Sequence, residues 1–365
     1  MDKAPLMNAA IAERRLGNQL ITRAGLRRPA DVVGWFGAMQ AQEYVPAKWG
    51  LAIRMRDGAV DAEIERAFED GRILRTHVMR PTWHFVTPAD IRWLLELTAP
   101  RLHRLMSTYN RQMELDDRTL ARGTAVIERA LRDRQYLTRT EVGARLQRAG
   151  LAMAGQRLAQ LMMHAELERV VCSGPRRGRQ FTYALLAERA PDALRLSRDE
   201  ALATLGRRFL RSHGPATIRD FVWWSGLVTG DAKQALDMIR ARREDVQGQA
   251  YWTIGQPARE AARDRLVHLL PIYDEYLVAY RDRQAVPHGP TVVVTSDTRA
   301  FVTFQHAMVI AGQVAGTWRV TRTPRGVTVH ATPLRRLNRP EQRALGDTVE
   351  RYERFVSAPV EFSIT

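Results

Sequence analysis

Residues 39–44 read Met-Gln-Ala-Gln-Glu-Tyr, and the two glutamines, Gln40 and Gln42, stand two positions apart. On an extended backbone, side chains at i and i+2 point to one face, so the pair would present two long neutral amides side by side. Each amide offers a donor and an acceptor, but it does not titrate, so neither glutamine is a general base in the ordinary sense. What such a pair does well is orient a water or turn a dipole toward developing charge. Trp35, Phe36 and Met39 give it an apolar surround. A polar helix end is the plainer reading, and residue type and spacing alone leave both open.

Few other residues compete for a chemical role. Glu43 adjoins the pair and would hold a water or an arginine, although a surface ion pair explains it more simply. His84 falls in a strand-like run beside Trp83 and reads first as a core histidine, second as a supporting residue. Trp83, Trp223 and Trp224 have faces on which bases stack, with core packing the plainer account. Asp274 and Glu275 form the best carboxylate pair elsewhere, and capping or pairing with arginine explains them without catalysis. The single cysteine, Cys172, excludes an internal disulfide and a multi-cysteine zinc site. No GxxxxGK, HExxH or GxSxG motif and no metal-spaced histidine cluster occurs, so the expected chemistry uses no metal and no cofactor.

Charge points to the partner. Lysine and arginine total 56 against 40 acidic residues, a formal net charge of +16, and the only lysines are Lys3, Lys48 and Lys233. Guanidinium is permanently charged and grips phosphate with two parallel hydrogen bonds. A GC-rich genome accounts for arginine in place of lysine, but not for the excess of base over acid. Double-stranded DNA is therefore the expected partner. No run of eighteen apolar residues exists to span a bilayer, and residues 1–5 carry no apolar signal core. A cytoplasmic, nucleoid-associated monomer is expected.

The elements that must position these residues repeat. Residues 8–21, 30–39, 47–55 and 61–69 read as helices, followed by strand-like runs over 73–80 and 82–86 that Pro81 interrupts. Thr87 and Pro88 would open a long helix, with Asp90 complementing its dipole. Helices followed by a hairpin form the winged-helix pattern. It recurs with helices over 137–147 and 155–165 and strands over 168–173 and 180–185. The connection between these strands bears Arg176, Arg177 and Arg179, a basic tip suited to phosphate, with a solvated charged loop as the plainer alternative. A third copy reads as helices over 200–212, 218–225 (capped by Thr217) and 231–242, with a reduced wing over 248–254. Beyond residue 266 short strands are expected at 292–295, 300–304, 308–310, 318–323 and 326–331, with turns at 311–313 and 324–326 and a final helix over 340–355. Four domains follow, at 1–115, 116–190, 191–262 and 263–365.

Several dispersed blocks, in order, resemble the winged-helix DNA glycosylase family of AlkZ and YcaQ. In the N-terminal third they are Arg15-Leu16, Gln40-Ala41-Gln42-Glu43, Leu74-Arg75-Thr76, and the run from Arg80 to Val86 followed by Asp90. Further on come Gly214-Pro215-Ala216-Thr217 with Asp220-Phe221, and Trp224-Ser225-Gly226-Leu227. The C-terminal part adds Leu270-Pro271, the run from Tyr273 to Leu277, and Gly312 to Trp318. The resemblance implies an α+β fold of three tandem winged helices in a C-shaped array with a β-rich C-terminal domain, and DNA in the concave face. It also implies a catalytic motif of glutamine, apolar residue, glutamine, matched by Gln40 and Gln42. One branch of the family carries aspartate at the second position, so the match favours bulky N7-alkylpurines or crosslinks as substrates.

That chemistry is consistent with two amides. An ordinary purine needs protonation to leave, whereas an N7-alkylpurine already carries positive charge and departs as a neutral base. The sugar turns oxocarbenium-like, and each well-placed dipole contributes roughly 3 kcal/mol. The implied activity is that of a monofunctional glycosylase in DNA repair or genotoxin self-resistance. Lys48 is the one lysine near the motif, and nothing suggests a Schiff-base lyase step. Arg75, Arg80, Arg176, Arg177 and Arg179 are the expected DNA contacts. The competing reading is a non-enzymatic winged-helix DNA binder or transcription regulator, against which stands the absence of coiled-coil heptads for dimerisation.

Overall fold

One order of elements occurs three times in the computed structural model, which describes residues 4–23, 25–56, 58–255, 266–281, 305–323 and 326–365. After α1 (Ala4–Asn18), the first unit runs α2 (Pro29–Phe36), β1 (Met39–Gln40), α3 (Tyr44–Ala52), α4 (Asp61–Glu69), β2 (Leu74–Val78) and β3 (Arg80–Val86). Its three strands lie in the order β1-β3-β2. A long helix, α5 (Ile91–Gln112), leads to the second unit: α6 (Asp117–Leu131), β4 (Leu137–Thr138), α7 (Arg139–Arg148), α8 (Gly155–Leu167), β5 (Val171–Ser173) and β6 (Thr182–Leu185), with strand order β4-β6-β5. A short α9 (Leu186–Arg189) follows. The third unit is α10 (Arg198–His213), α11 (Ile218–Ser225), α12 (Thr229–Met238), β7 (Arg242–Val246) and β8 (Gln249–Thr253), with a single bridge from Ala216 to Trp252 standing in for the first strand. In each unit the last strand lies in the middle.

Local chemistry sets the helix starts. Thr138 with Glu141, Ser197 with Glu200 and Thr217 with Asp220 form capping boxes at α7, α10 and α11, each satisfying two otherwise orphaned backbone N–H groups. Three differences from the sequence expectation have physical causes. The second helix stops at Phe36 because Gly37 turns to φ 90° and Met39–Gln40 joins the sheet. The third helix of the third unit stops at Met238, and residues 242–246 form a strand, so the wing is a full hairpin. Same-face ion pairs, Arg242 with Glu244 and Arg243 with Asp245, support it. The long helix begins at Ile91, with Pro88 in the preceding turn. Pro81 lies within β3, at an irregularity where Val78 pairs with Arg80 but His77 pairs with Trp83, so the ladder does skip it.

The C-terminal part is a five-stranded sheet in the order β13-β12-β11-β10-β9, built from β9 (Val267–Leu270), β10 (His306–Ile310), β11 (Gln313–Thr323), β12 (Gly326–Pro333) and β13 (Val360–Ile364), with α13 (Glu275–Val278) and α14 (Arg339–Val356). The strands expected at 292–295 and 300–304, and residues 324–325 of the second turn, lie outside the described residues.

Packing ties the C-terminal sheet to the first unit. Val33, Phe36, Met39, Trp49 and Phe85 share one core with Leu269, Tyr276, Trp318 and Phe355. A second core joins the β2–β3 hairpin and α5 to the third unit through Val78, Leu94, Phe209 and Trp224. The second unit has a core of its own. Gly226 permits the closest approach: its φ is +70° and a Cβ there would sit 2.0 Å from the Met79 carbonyl oxygen, so only glycine lets the end of α11 meet the hairpin tip.

Candidate active site

Strand β1 is two residues long, and the segment after it needs other restraints. Met39 pairs with Phe85 and Gln40 with His84, and the Ala41 N–H donates to the Trp83 carbonyl at 2.7 Å. From below, Arg75 donates through Nε to the Ala41 carbonyl (2.9 Å) and through Nη2 to the Gln42 carbonyl (3.2 Å). Its guanidinium lies between the rings of Trp83 (4.3 Å) and Phe181 (4.8 Å). The segment is therefore extended and pinned: Met39 and Ala41 are buried, Gln40 is half-buried and Gln42 is exposed.

Both amides are oriented by the protein. Gln40 Oε1 accepts from Arg80 Nη2 at 2.8 Å, and Gln42 Oε1 accepts from the Trp83 N–H at 3.2 Å. Arginine and a backbone N–H only donate, so each amide must turn its oxygen toward the protein and its NH2 away. A second lone pair remains on each oxygen.

The ground under Gln40 is charged and buried. Its backbone N–H donates to Glu275 Oε1 at 2.6 Å. Glu275 Oε2 accepts from Trp224 Nε1 at 3.0 Å and lies 3.3 Å from His213 Nε2. Burial opposes its charge, but the hydrogen bond from His213, the Arg80 guanidinium and the Gln40 N–H bring the carboxyl down to about 2. Arg80 also donates to the Trp224 carbonyl (3.0 Å) and approaches His84 Nε2 at 3.4 Å. Burial foremost, then the Arg80 charge, depresses the His84 imidazole to about 3, and its Nδ1 donates to the Thr82 carbonyl. His84 is a neutral ring at any ordinary pH.

The remaining candidates scatter. Glu43 is exposed at the N-cap of α3. Arg176 pairs with Glu65 at 2.9 Å and covers the Tyr44 ring. At the tip of the second hairpin Arg177 is exposed and reaches Glu141 at 2.7 Å, and Arg179 is exposed beside it. Cys172 is buried, its thiol pushed up to about 12 by desolvation. Trp224 is fully buried, whereas Trp223 is 42% exposed. His103, His164 and Glu168 come together between α5 and α8, a grouping of metal-ligating types that their sequence spacing conceals.

Residues 33–355 match the family model for AlkZ-like DNA glycosylases. The chain belongs to that family. It is 27% identical over 313 residues to the interstrand DNA cross-link repair glycosylase of Streptomyces sahachiroi, covering 80% of this chain and 82% of that one. The solved structure of the DNA glycosylase AlkZ from Streptomyces sahachiroi superposes with a TM-score of 0.80 at 23% identity, covering 98% and 99% of the two chains. The fold is thus that of AlkZ. This AlkZ-like glycosylase is a hydrolase of N-glycosyl bonds, and no described helix is long and apolar enough to cross a membrane.

Sequence reading of this glycosylase missed the importance of Glu275. It was visible as half of a carboxylate pair, and one signal marked it out: a glutamate followed by Tyr276-Leu277-Val278 is carried into the interior, where it requires donors. Its neighbour Asp274 separates in role, forming a fully buried ion pair with Arg54 at 2.8 Å and capping α13.

Proposed function

We propose that this glycosylase hydrolyses the N-glycosidic bond of cationic N7-alkylated purines in DNA, including bulky adducts and interstrand crosslinks, with Gln40 and Gln42 as its catalytic residues. The observation that carries the reading is the protonation state of the surroundings. Next to two outward amides, His84 is held neutral and Glu275 is held ionised with both oxygens engaged. Neither buried titratable neighbour, His84 or Glu275, stands ready to protonate a leaving base, which favours a base able to depart unassisted. An N7-alkylpurine meets that requirement.

In the reaction the C1′–N9 bond breaks and its electron pair neutralises the cationic base. A water positioned by the free lone pairs of Gln40 and Gln42 Oε1 adds to C1′, and its proton passes to solvent. The products are a free alkylpurine and an abasic site. The outward NH2 groups donate to the sugar–phosphate backbone, which fixes the sugar above the pair. Amide dipoles of this kind contribute roughly 3 kcal/mol each, enough for an activated lesion and too little for an uncharged one. Two hollows of about 370 and 340 Å³ flank Pro81 at the hairpin tip, and the second is lined by Trp83, Met106, Tyr109 and Met113. The second hollow is lined by Trp83, whose backbone N–H holds Gln42, and its room suits a bulky adduct, in keeping with the crosslink-repair activity named for the Streptomyces relative.

We read the three repeated units as tandem winged helices arranged around the duplex in a C-shaped array, each with the same helix order and central last strand. On this reading Arg177 and Arg179 at the second wing contact phosphate, while Arg75, Arg80 and Arg176 hold the site. The protein would act as a monomer on nucleoid DNA in the cytoplasm. Incubation with a duplex containing N7-methylguanine should release 7-methylguanine and leave alkali-labile sites. Sequence-selective footprints on native promoter DNA, with no base released from any alkylated duplex, would instead favour a regulator.

A further inference from the structure

Arg80 poses an electrostatic problem. It holds Gln40 Oε1 at 2.8 Å, yet whatever lies over Gln40 in the proposed reaction is positive, first as the alkylated base and then as the oxocarbenium-like sugar. A guanidinium one hydrogen bond behind the amide opposes both. The partners this guanidinium touches are the Gln40 amide oxygen, the Trp224 carbonyl and the His84 ring, all of them uncharged or held neutral.

We infer that Glu275 is a positioning residue that neutralises Arg80, so that Arg80 can hold Gln40 without setting uncompensated positive charge against a cationic substrate. This rests on the reading of Gln40 and Gln42 as the hydrolytic pair. Three features of the geometry support it. Glu275 is 2% exposed and takes the Gln40 N–H at 2.6 Å, so it holds the main chain of the residue whose side chain Arg80 holds. Trp224 ties both together, giving its indole N–H to Glu275 and its carbonyl to Arg80. The other buried charges nearby are already matched, Arg54 with Asp274 at 2.8 Å and Arg15 with Asp220 at 3.5 Å. His213 lies 3.3 Å from Glu275 as a hydrogen-bond partner, and burial is the largest influence on its ring, lowering it from the ordinary 6.5. Arg80 and Glu275 are the charges left to balance one another.

The test separates charge from architecture. Two duplexes are compared, one bearing a pyrrolidine abasic analogue that is cationic at neutral pH, the other a neutral tetrahydrofuran analogue. Glu275→Gln keeps the shape and an acceptor for the Gln40 N–H. It should weaken pyrrolidine binding about tenfold, leave tetrahydrofuran binding within about twofold, and slow 7-methylguanine release at least tenfold in single turnover. Combining it with Arg80→Gln should bring the ratio of pyrrolidine to tetrahydrofuran affinity back to within about threefold of the wild type, because the two charges leave together. A double variant that keeps the whole tenfold loss of Glu275→Gln, or a Glu275→Gln variant with an unchanged ratio of pyrrolidine to tetrahydrofuran affinity, would overturn the inference and leave Glu275 a purely architectural acceptor. If Glu275→Gln does not fold, Arg80→Gln alone should raise that ratio, and an unchanged ratio is again the overturning result. Failure of the wild type to release any alkylated base would strike the proposed function, while the analogue ratio would still judge the charge balance.

Discussion

Replacing Arg75 by methionine should loosen the glutamine segment from beneath. The side chain makes hydrogen bonds of 2.9 and 3.2 Å to the carbonyls of Ala41 and Gln42 and lies between two aromatic rings. Charged hydrogen bonds contribute about 1.5–3 kcal/mol each, and the two ring contacts together about 2 kcal/mol. Opposing them is the cost of burying the guanidinium. Desolvation brings its pKa from 12.5 to about 10, which corresponds to about 3 kcal/mol. Methionine escapes that cost and fills the slot, so the net destabilisation should be about 3 kcal/mol. The segment it frees carries Gln40 and Gln42, and misplacement by about 1 Å costs up to 100-fold in rate. Equilibrium urea unfolding read from tryptophan fluorescence gives the stability change, since Trp83 covers the guanidinium. Single-turnover release of 7-methylguanine gives the rate. Arg75→Lys should recover part of the stability but little of the rate, because an ammonium cannot fork between both carbonyls. A methionine variant within 1 kcal/mol and twofold of wild type, an order-of-magnitude window set against the expected loss, would refute the claim that Arg75 pins the motif.

Other perturbations follow from the same geometry. Asp274→Asn leaves Arg54 buried and unpaired and should cost about 3–5 kcal/mol in urea unfolding; a loss below half of that would show the pair to be dispensable. The single-turnover rate should be flat from about pH 5 to 8, because the amides do not titrate and His84 and Glu275 titrate near about 3 and about 2. A bell with a limb near pH 6.5 would place a histidine in the reaction. Stability should instead fall in acid. His84 is depressed from 6.5 to about 3 and Glu275 from 4.5 to about 2, so each contributes fully above its unfolded pKa and loses that contribution as pH drops toward its folded value. Thermal melts from pH 7 to pH 3 check the sign, and increasing stability on acidification would contradict it. Arg177→Gln and Arg179→Gln should each weaken duplex binding regardless of sequence and lower the slope of log affinity against log salt by about 0.9; a base-specific effect would show that these wing residues read sequence.

Much of the architecture was legible because it is written in local signals. Thr217 marked the start of α11 three residues before Asp220, and residues 61–69 carried an amphipathic period that matches α4. The alternation that places Gln40 and Gln42 on one face was also readable, since Met39 and Ala41 between them are apolar. What the chain did not announce was non-local. Residues 242–246 hold four charged residues in five positions, and their strand exists through cross-strand pairing with β8 and a tether from Arg14 to Glu244 at 2.7 Å. Strand β13 lies parallel to β12 and depends on α14 to return the chain. Arg75 and Arg80 read as phosphate contacts because a surface arginine and a buried one look alike in sequence; only the fold shows one under the Ala41 carbonyl and the other behind Gln40. Glu275 lies 235 residues from Gln40, and no spacing connects them.

The most direct trial of the account compares base release from duplexes carrying N7-methylguanine and uracil, by the wild type and by Gln40→Ala and Gln42→Ala variants of matched stability. Release of 7-methylguanine, none of uracil, and a loss of about 100- to 1000-fold in each variant are expected, in line with the removal of one preorganised dipole. Release of 7-methylguanine at the wild-type rate from both variants would show that the amides do not carry the reaction.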